Sequence, residues 1–443
     1  MRGLLALLLV VTCVHSVAHA ELIAAEQSRL DELGAMAIGE SRIVSAFPDG
    51  YGGHADIRFE RIDVYARGAR IVEVTETGEH EVPRSARIEL IGSNSAGDVR
   101  LSLAFDPGAK AIRGAGSSSA GAFSIDAIDV SGSTRLRVRP THESLPPGVD
   151  PHIVPTDDSL PTGRPMPDAL TLSLVGASPA GALRTALIAV DTDNEFMSER
   201  FGNSTAAATS WIADLFGVMN VMYQRDLNVT LQQGTTFLRT GKDPYNAVNT
   251  PADGTDLTEF GTYWQNNEGG VARDFTVLLS GKSPNGLSAS GIAWVNAYCQ
   301  TQSNGGSYSV NQIFTSAQAA VEFSARIVGH EIGHNFGAYH THCTNTTTGA
   351  APTGVNTIDK CFAGEAANGC YSGATSCPNT GPGAPAGTLM SYCNSLNGGC
   401  GANHQNVLQF HPTQITTMSA LIAQNTPSCL SLGSDVIFKN GFE

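Results

Sequence analysis

Charged residues are scarce in this sequence, and positive ones are scarcer than negative ones. Only 15% of the 443 residues are charged, and 26 Lys and Arg stand against 41 Asp and Glu, which gives a net charge of −15. The sequence has no run of basic residues and no patch of mixed basic and aromatic residues. Because nucleic-acid-binding surfaces carry such patches, the composition argues against nucleic acid as a partner.

Long hydrophobic runs are also missing. The run from Leu4 to Val14 has about eleven residues, too short to cross a bilayer, and no later stretch comes closer. It follows the basic Arg2 and precedes Ala18-His19-Ala20, which has the small-x-small form of a signal peptidase site. We therefore predict a signal peptide over residues 1–20 and a soluble, secreted (extracellular) product without a membrane span.

Cysteine is absent from the first part of the mature chain. Cys13 leaves with the signal peptide, and the other eight cysteines lie between Cys299 and Cys429. An even number in an exported chain predicts disulfides, and the CxxC-type pairs of a structural zinc site are missing. Because the two halves differ chemically, we expect separate domains.

The residues after the signal peptide divide into four segments. Residues 21–139 contain β-type runs, among them the cleanly alternating Val99–Phe105, and predict a small, mostly β domain without a catalytic constellation. Eight of the 28 residues from Pro140 to Pro167 are proline, which predicts an extended linker over 140–168. A second domain is expected over 169–432, and a flexible tail over 433–443.

The second domain mixes helices and strands. The stretch from Ser204 to Tyr223 carries an apolar stripe at spacings of three and four, which predicts a helix facing the core. An α/β fold follows from this helix and the buried strands around it. These strands are predicted at Leu187–Val190, Asp226–Leu231, Phe275–Leu279, Gly291–Val295 and Tyr308–Ile313.

The segment HEIGHNFGAYH, which begins at His330, carries the most specific chemistry. On a helix, His330 and His334 leave the same face, a spacing that suits two nitrogen ligands of one tetrahedral Zn²⁺. Glu331 lies beside the first ligand, where it can take a proton from a metal-bound water. Gly337 can end the helix in the left-handed conformation, so that the chain turns back and presents His340 as third ligand. A core helix that carries histidines by chance is the alternative, and it fits so many fixed offsets poorly.

The helix that carries this motif is predicted to be buried. Its apolar residues form more than one row, which is typical of a helix enclosed in a core. One row contains Val321, Ala325, Val328 and Ile332. We place the N-cap at Thr315 or Ser316, whose side chains can accept from the first turn.

The extended histidine pattern resembles that of the metzincin clan of zinc endopeptidases, whose second hallmark is a methionine turn beneath the metal. Gly387 to Cys393, with Met390 at its centre, matches such a turn. The stretch from Leu278 to Cys299 looks like the reprolysin branch, the snake-venom and ADAM-type enzymes. Thr341 departs from the Asp usual after the third histidine there, and Tyr392 is similar to a tyrosine that approaches the metal in the astacin and serralysin branches.

This resemblance implies a fold as well as a site. The fold would be a metzincin catalytic domain, with a mixed twisted sheet, an active-site helix and a Met-turn, preceded by a mostly β prodomain. Cys299 would pair with Cys429, as the corresponding cysteines do in the reprolysin branch, and the other six cysteines still allow fifteen connectivities. A polypeptide substrate would add as a strand along the edge formed by Ile292 to Val295.

The activity that the resemblance implies is hydrolysis of peptide bonds by a secreted zinc endopeptidase, made as a proenzyme. His330, His334 and His340 would hold Zn²⁺, and Glu331 would be the general base. Tyr392 would either donate to the oxyanion or serve as a structural tyrosine under the site. The family also allows a structural Ca²⁺, whose ligands the sequence does not identify.

Several alternatives stay open at this point. The N-terminal domain is interpreted as a propeptide that inhibits the enzyme without a cysteine to silence the zinc, or as a retained binding module. The whole chain could instead be a non-catalytic binding protein with a structural zinc, although the retained Glu331 argues against this. The long segment from Thr341 to Ala386 is interpreted as a disulfide-stapled insertion that shapes specificity, or as a structural rim. His342 is the nearest substitute if His340 is not a ligand.

Overall fold

A computed structural model gives the fold. The structure describes residues 21–24, 27–107, 111–130, 133–144, 152–153, 183–246, 251–282, 286, 288–317, 319–377, 387–395, 399–400, 406–425 and 429–432. The predicted signal peptide, most of the predicted linker and the predicted tail lie outside the described residues.

The N-terminal region forms mostly strands and one α-helix, as its β-type runs indicate. Strands and helices are numbered along the chain. The helix is α1 (Gln27–Gly34), and the strands are β1 (Glu21–Ala24), β2 (Ser41–Pro48), β3 (His54–Ile62), β4 (Ile71–Thr75), β5 (Gly78–Val82), β6 (Ile88–Ser93), β7 (Arg100–Phe105), β8 (Ile112–Ser118), β9 (Gly121–Val130), β10 (Ser133–Pro140) and β11 (His152–Ile153).

Eight of these strands form one antiparallel sheet in the order β1-β10-β9-β8-β7-β6-β3-β2. The alternation in β7 predicts one buried face, and Leu101 and Leu103 do point into a core with Phe59 and Phe123. The opposite face is buried too, since Ser102 is only 3% exposed. The reason is that the second face packs against a helix from the other half of the chain.

The C-terminal region has the predicted α/β composition. Its helices and strands alternate, with the longest helix early in the region. They are β12 (Arg184–Thr192), α2 (Thr205–Leu227), β13 (Val229–Arg239), α3 (Gly254–Asn267), β14 (Phe275–Ser280), β15 (Ser288–Ala293), β16 (Tyr308–Gln312), α4 (Val321–Asn335), α5 (Pro412–Asn425) and β17 (Ser431–Leu432).

These strands build a nine-stranded mixed sheet in the order β11-β15-β16-β14-β12-β13-β4-β5, with β17 paired to the start of β12. Strands β12, β13, β14 and β16 are parallel, and β15 runs antiparallel to β16. Three strands come from the part of the chain before residue 169. Strands β4 and β5 extend one end of the sheet, and β11 pairs in parallel with β15 at the other end.

Helix α2 lies between the two sheets. Ser204 caps its first turn by accepting from the Ala207 N–H, and a left-handed Asn228 ends it. The predicted apolar stripe of this helix lies in the core, since Trp211 and Met219 are almost completely buried. The helix continues to Leu227, so the strand predicted from Asp226 begins three residues later, at Val229.

Helix α4 carries the histidine motif and is buried along its whole length, as predicted. Its predicted N-cap was wrong, because the residue at that position is Ala320, which has no side-chain acceptor. The Ser316 carbonyl accepts from Ala319 N–H and from the Arg200 guanidinium, so it belongs to a separate turn before the helix. Burial of the helix, not a capping side chain, stabilises its start.

All eight cysteines of the C-terminal region form disulfides. The predicted bond between Cys299 and Cys429 is confirmed. The other three bonds join Cys343 to Cys370, Cys361 to Cys393, and Cys377 to Cys400. Within the described ranges, no helix is both long and apolar enough to span a membrane.

Candidate metal centre

Helix α4 and the turn after it bring three imidazoles together. His330 and His334 are one turn apart, and their ring centroids are 4.6 Å from each other. The helix ends at Asn335, and Gly337 takes a left-handed φ of 99°, as the sequence predicts. The chain then turns back, so that the His340 ring lies 4.8 Å from His334 and 5.2 Å from His330.

Each of the three rings is held by a hydrogen bond at Nδ1. His330 bonds to the Leu389 carbonyl oxygen at 2.8 Å, and His334 bonds to the Ala338 carbonyl oxygen at 2.7 Å. His340 bonds to the Glu365 carboxylate at 2.8 Å. Since carbonyl oxygens only accept and a carboxylate is an acceptor when ionised, each Nδ1 carries the proton, and each Nε2 keeps a lone pair.

The three Nε2 atoms converge on one point. The Nε2 atoms of His334 and His340 are 3.2 Å apart, and the Nε2 of His330 is buried without a partner among the described residues. Two lone pairs facing each other repel unless a cation lies between them. A tetrahedral zinc site with Zn–N bonds near 2.0–2.1 Å separates its nitrogens by about 3.3 Å, so the donor set fits zinc.

Burial keeps two of the ligand candidates, His330 and His334, neutral. Burial, aided by the neighbouring histidine charge, lowers the pKa of His330 to about 3. The same cause lowers the pKa of His334 well below its ordinary value. Neutral imidazole is the form that binds a metal, so these rings need not lose a proton at neutral pH.

Glu331 of α4 faces strand β15 of the mixed sheet. Its side chain is 4% exposed, and Oε2 has no hydrogen-bond partner in the described part of the chain. It packs so closely on β15 that a Cβ at Gly291 would come within 2.4 Å of Oε1. Burial raises the pKa of this carboxyl well above its ordinary value.

The segment from Gly387 to Cys393 passes beneath the three histidines. Met390 is fully buried, and a Cβ at Gly333 would lie 3.0 Å from its sulfur. The Tyr392 ring lies 4.3 Å from the His340 ring and is nearly parallel to His330 at 5.9 Å. The Thr341 hydroxyl donates to Ser391 Oγ at 2.9 Å, which ties the third histidine's turn to this segment.

Glu365 is the residue at this centre that sequence reasoning missed. It is 3% exposed, and its Oε2 lies 2.8 Å from both His340 Nδ1 and His342 Nε2. His342 therefore faces Glu365, outside the group of three histidines. The available signal was weak, because Glu365 is one of two acidic residues between Thr341 and Ala386 and no fixed spacing marks it.

Comparison with known proteins agrees with this geometry. The family model of a reprolysin group, described as Metallo-peptidase family M12, matches residues 182–410, just over half of the chain. The chain belongs to this family. No curated protein matches the chain.

This M12 metallopeptidase thus combines the zinc dependence of its family with a histidine group that could bind the metal. The calcium ion that the resemblance allowed finds no support in the groups of possible ligands among the described residues. Those other groups contain disulfide-bonded cysteines, as in the sets around Asp274 and Asp359.

Proposed function

We propose that the protein is a secreted zinc endopeptidase made as a proenzyme, with His330, His334 and His340 as the zinc ligands. The observation that carries the proposal is the convergence of three Nε2 lone pairs whose Nδ1 atoms are all anchored. The four disulfides are consistent with an oxidising compartment, and so with secretion.

The reaction assigns a separate task to each nearby side chain. When bound, zinc supplies Lewis acidity to the attacking water and to the scissile carbonyl. Glu331 takes a proton from the attacking water and delivers it to the leaving amine. Tyr392, whose ring lies against His340, donates to the developing oxyanion. Met390 packs under the centre as the floor of the Met-turn and is not a ligand.

Latency comes from two residues of the linker, His152 and Ile153, which occupy the outer edge of β15. His152 and Ile153 pair in parallel with Ser288 and Ala289 of β15. This strand also contains Gly291, against which Glu331 packs. An extended substrate would need the same backbone edge, so the chain before residue 169 acts as its own inhibitor until it is cleaved.

A contact between the N-terminal sheet and the active-site helix also supports an inhibitory role for the N-terminal region. Ser124 of β9 donates to Glu322 of α4 at 2.6 Å, and both residues are buried. Glu322 lies two turns before His330 on the helix that holds the histidines. The propeptide thus binds the element on which the active site is built, and steric cover takes the place of a silencing cysteine.

The experiment is hydrolysis of casein by the secreted protein after proteolysis of the linker, compared with Glu331→Gln and with chelator. We expect zinc in both proteins and a loss of roughly 10³-fold or more in turnover for the variant, because the general base is removed. Equal, near-zero turnover in both proteins with zinc bound would instead support a non-catalytic binding protein.

A further inference from the structure

The segment that follows the third histidine returns to the metal centre. It spans Thr341 to Cys377 in the described part of the chain, and disulfides tie it down at Cys343–Cys370 and Cys361–Cys393. Glu365 lies inside the first of these loops and is the carboxylate that contacts His340. The loop has a defined position because a covalent bond closes it beside the histidine.

The Glu365 carboxylate contacts two imidazoles through the same oxygen. Its Oε2 accepts from His340 Nδ1 and from His342 Nε2, each at 2.8 Å. The His342 ring stacks on His340 at 5.2 Å with an interplanar angle of 16°. His342 therefore holds the carboxylate from one side while packing on the ring that the carboxylate orients.

This arrangement makes the third histidine different from the other two. His330 and His334 donate to neutral main-chain carbonyls, whereas His340 donates to a carboxylate. A charged acceptor forms a stronger hydrogen bond and makes the imidazole a better electron donor at its other nitrogen. His340 also stands outside the helix, on a turn, so its orientation depends more on such a partner.

We propose that Glu365 is a positioning residue for the metal, and that the insertion serves to bring this carboxylate to His340. It fixes the tautomer and the ring orientation of the third ligand, and it strengthens zinc binding without touching the ion. This inference rests on the proposed role of His340 as a ligand. It gives the insertion a task at the metal, whether or not the same loop also contacts substrate.

The test is the zinc dissociation constant of the full chain, measured by competition with a chromophoric chelator. Glu365→Gln keeps the size of the side chain and removes its charge, and we expect zinc to bind about 10- to 100-fold more weakly. Glu365→Asp keeps the charge but moves the carboxylate away from His340. We therefore expect a smaller loss of zinc affinity. Glu81→Gln is the control, because it makes the same change from carboxylate to amide at a residue of β5 whose ion pair with Arg70 is more than half exposed.

A second readout separates positioning from mere structural support. We expect the visible spectra of Co²⁺-loaded Glu365→Gln and Glu365→Asp to shift from the wild-type spectrum, since the ligand field at His340 changes. We expect Glu81→Gln to leave the spectrum unchanged. Lower thermal stability of the metal-free variants with unchanged zinc affinity and unchanged spectra would overturn the inference. A wild-type chain that binds no zinc would overturn the proposed function itself.

Discussion

The N-terminal and C-terminal regions of this chain are stabilised by different interactions. The N-terminal sheet has no disulfide and relies on strand pairing and an apolar core. The C-terminal region carries four disulfides, of which three lie in the irregular segments around the metal centre. The comparison teaches that covalent bonds are placed where regular structure is lacking and where ligand geometry has to be kept.

The two regions also differ in how they bury charge. At the metal centre, buried carboxyl and imidazole groups are arranged around a site for a cation. Between the regions, the N-terminal Arg87 bonds to Asp214 of α2 and, at 3.2 Å, to Asp106. Glu89 is buried beside the same aspartate and adds a second acid to the interface. One cluster could hold a metal ion, and the other joins the N-terminal region to α2 of the C-terminal region.

The largest effect on stability is expected at Arg87. Arg87→Met leaves Asp214 and Glu89 buried without their cation, and we expect the free energy of unfolding to fall by about 3–5 kcal/mol. Arg70→Met is the control, because its ion pair with Glu81 is more than half exposed and contributes less than about 1 kcal/mol. Denaturant titration measures both. Equal changes in the two variants would contradict a stabilising role for the buried Arg87 ion pair between the regions.

The next effect concerns the disulfides around the centre. Replacing Cys343 and Cys370 together by serine opens a loop with a sequence separation of 27, and replacing Cys377 and Cys400 opens one of 23. The chain-entropy argument gives both variants a similar loss, about 3 kcal/mol. The first loop encloses Glu365, so that variant should also bind zinc more weakly than the wild type. Wild-type zinc affinity in that variant would break the link between the loop and the metal.

The smallest effect is a pH dependence of the interface. Burial first, and the nearby Asp214 second, raise the pKa of Glu89 well above 4.5, against the opposing effect of Arg87. The folded state therefore holds this proton more tightly than the unfolded state, and the stability gained below pH 4.5 is lost as the pH rises through the raised pKa.

The check is urea unfolding of the wild type and Glu89→Gln at pH values from below 4.5 upward. We expect the variant to lose less stability with rising pH than the wild type, since the amide stays neutral. Glu81→Gln, at an exposed position, should behave as the wild type does. A pH profile that Glu89→Gln leaves unaltered would show that another group controls the interface. Asp214, Asp106 and Arg113 also act on this cluster and remain present in every variant.

The parts of the molecule that depend on local sequence were predictable. The offsets within the motif fixed which histidines share a helix face, and Gly337 marked the turn that returns His340. The Cys299–Cys429 bond also agrees with prediction. In each case a short-range rule or a family resemblance supplied the needed information.

The parts that depend on distant contacts were not predictable. Nothing in the sequence near Ile71 indicates that β4 joins the sheet beside β13, because the pairing strand lies more than 150 residues away. Glu365 reaches His340 through a loop whose path depends on disulfides that the sequence leaves undetermined. The polar face of β7 is buried only because α2 covers it. Such contacts follow from the assembled fold and leave no periodic pattern.

The most direct test of the account is anomalous diffraction at the zinc edge from crystals of the full chain. We predict one strong peak, about 2.0–2.1 Å from the Nε2 atoms of His330, His334 and His340. The Glu331 carboxylate and the Tyr392 hydroxyl should flank this peak without coordinating the metal, and Glu365 should remain on His340 Nδ1. No peak among the three histidines, or a peak held by His342 and Glu365 instead, would contradict the central claim.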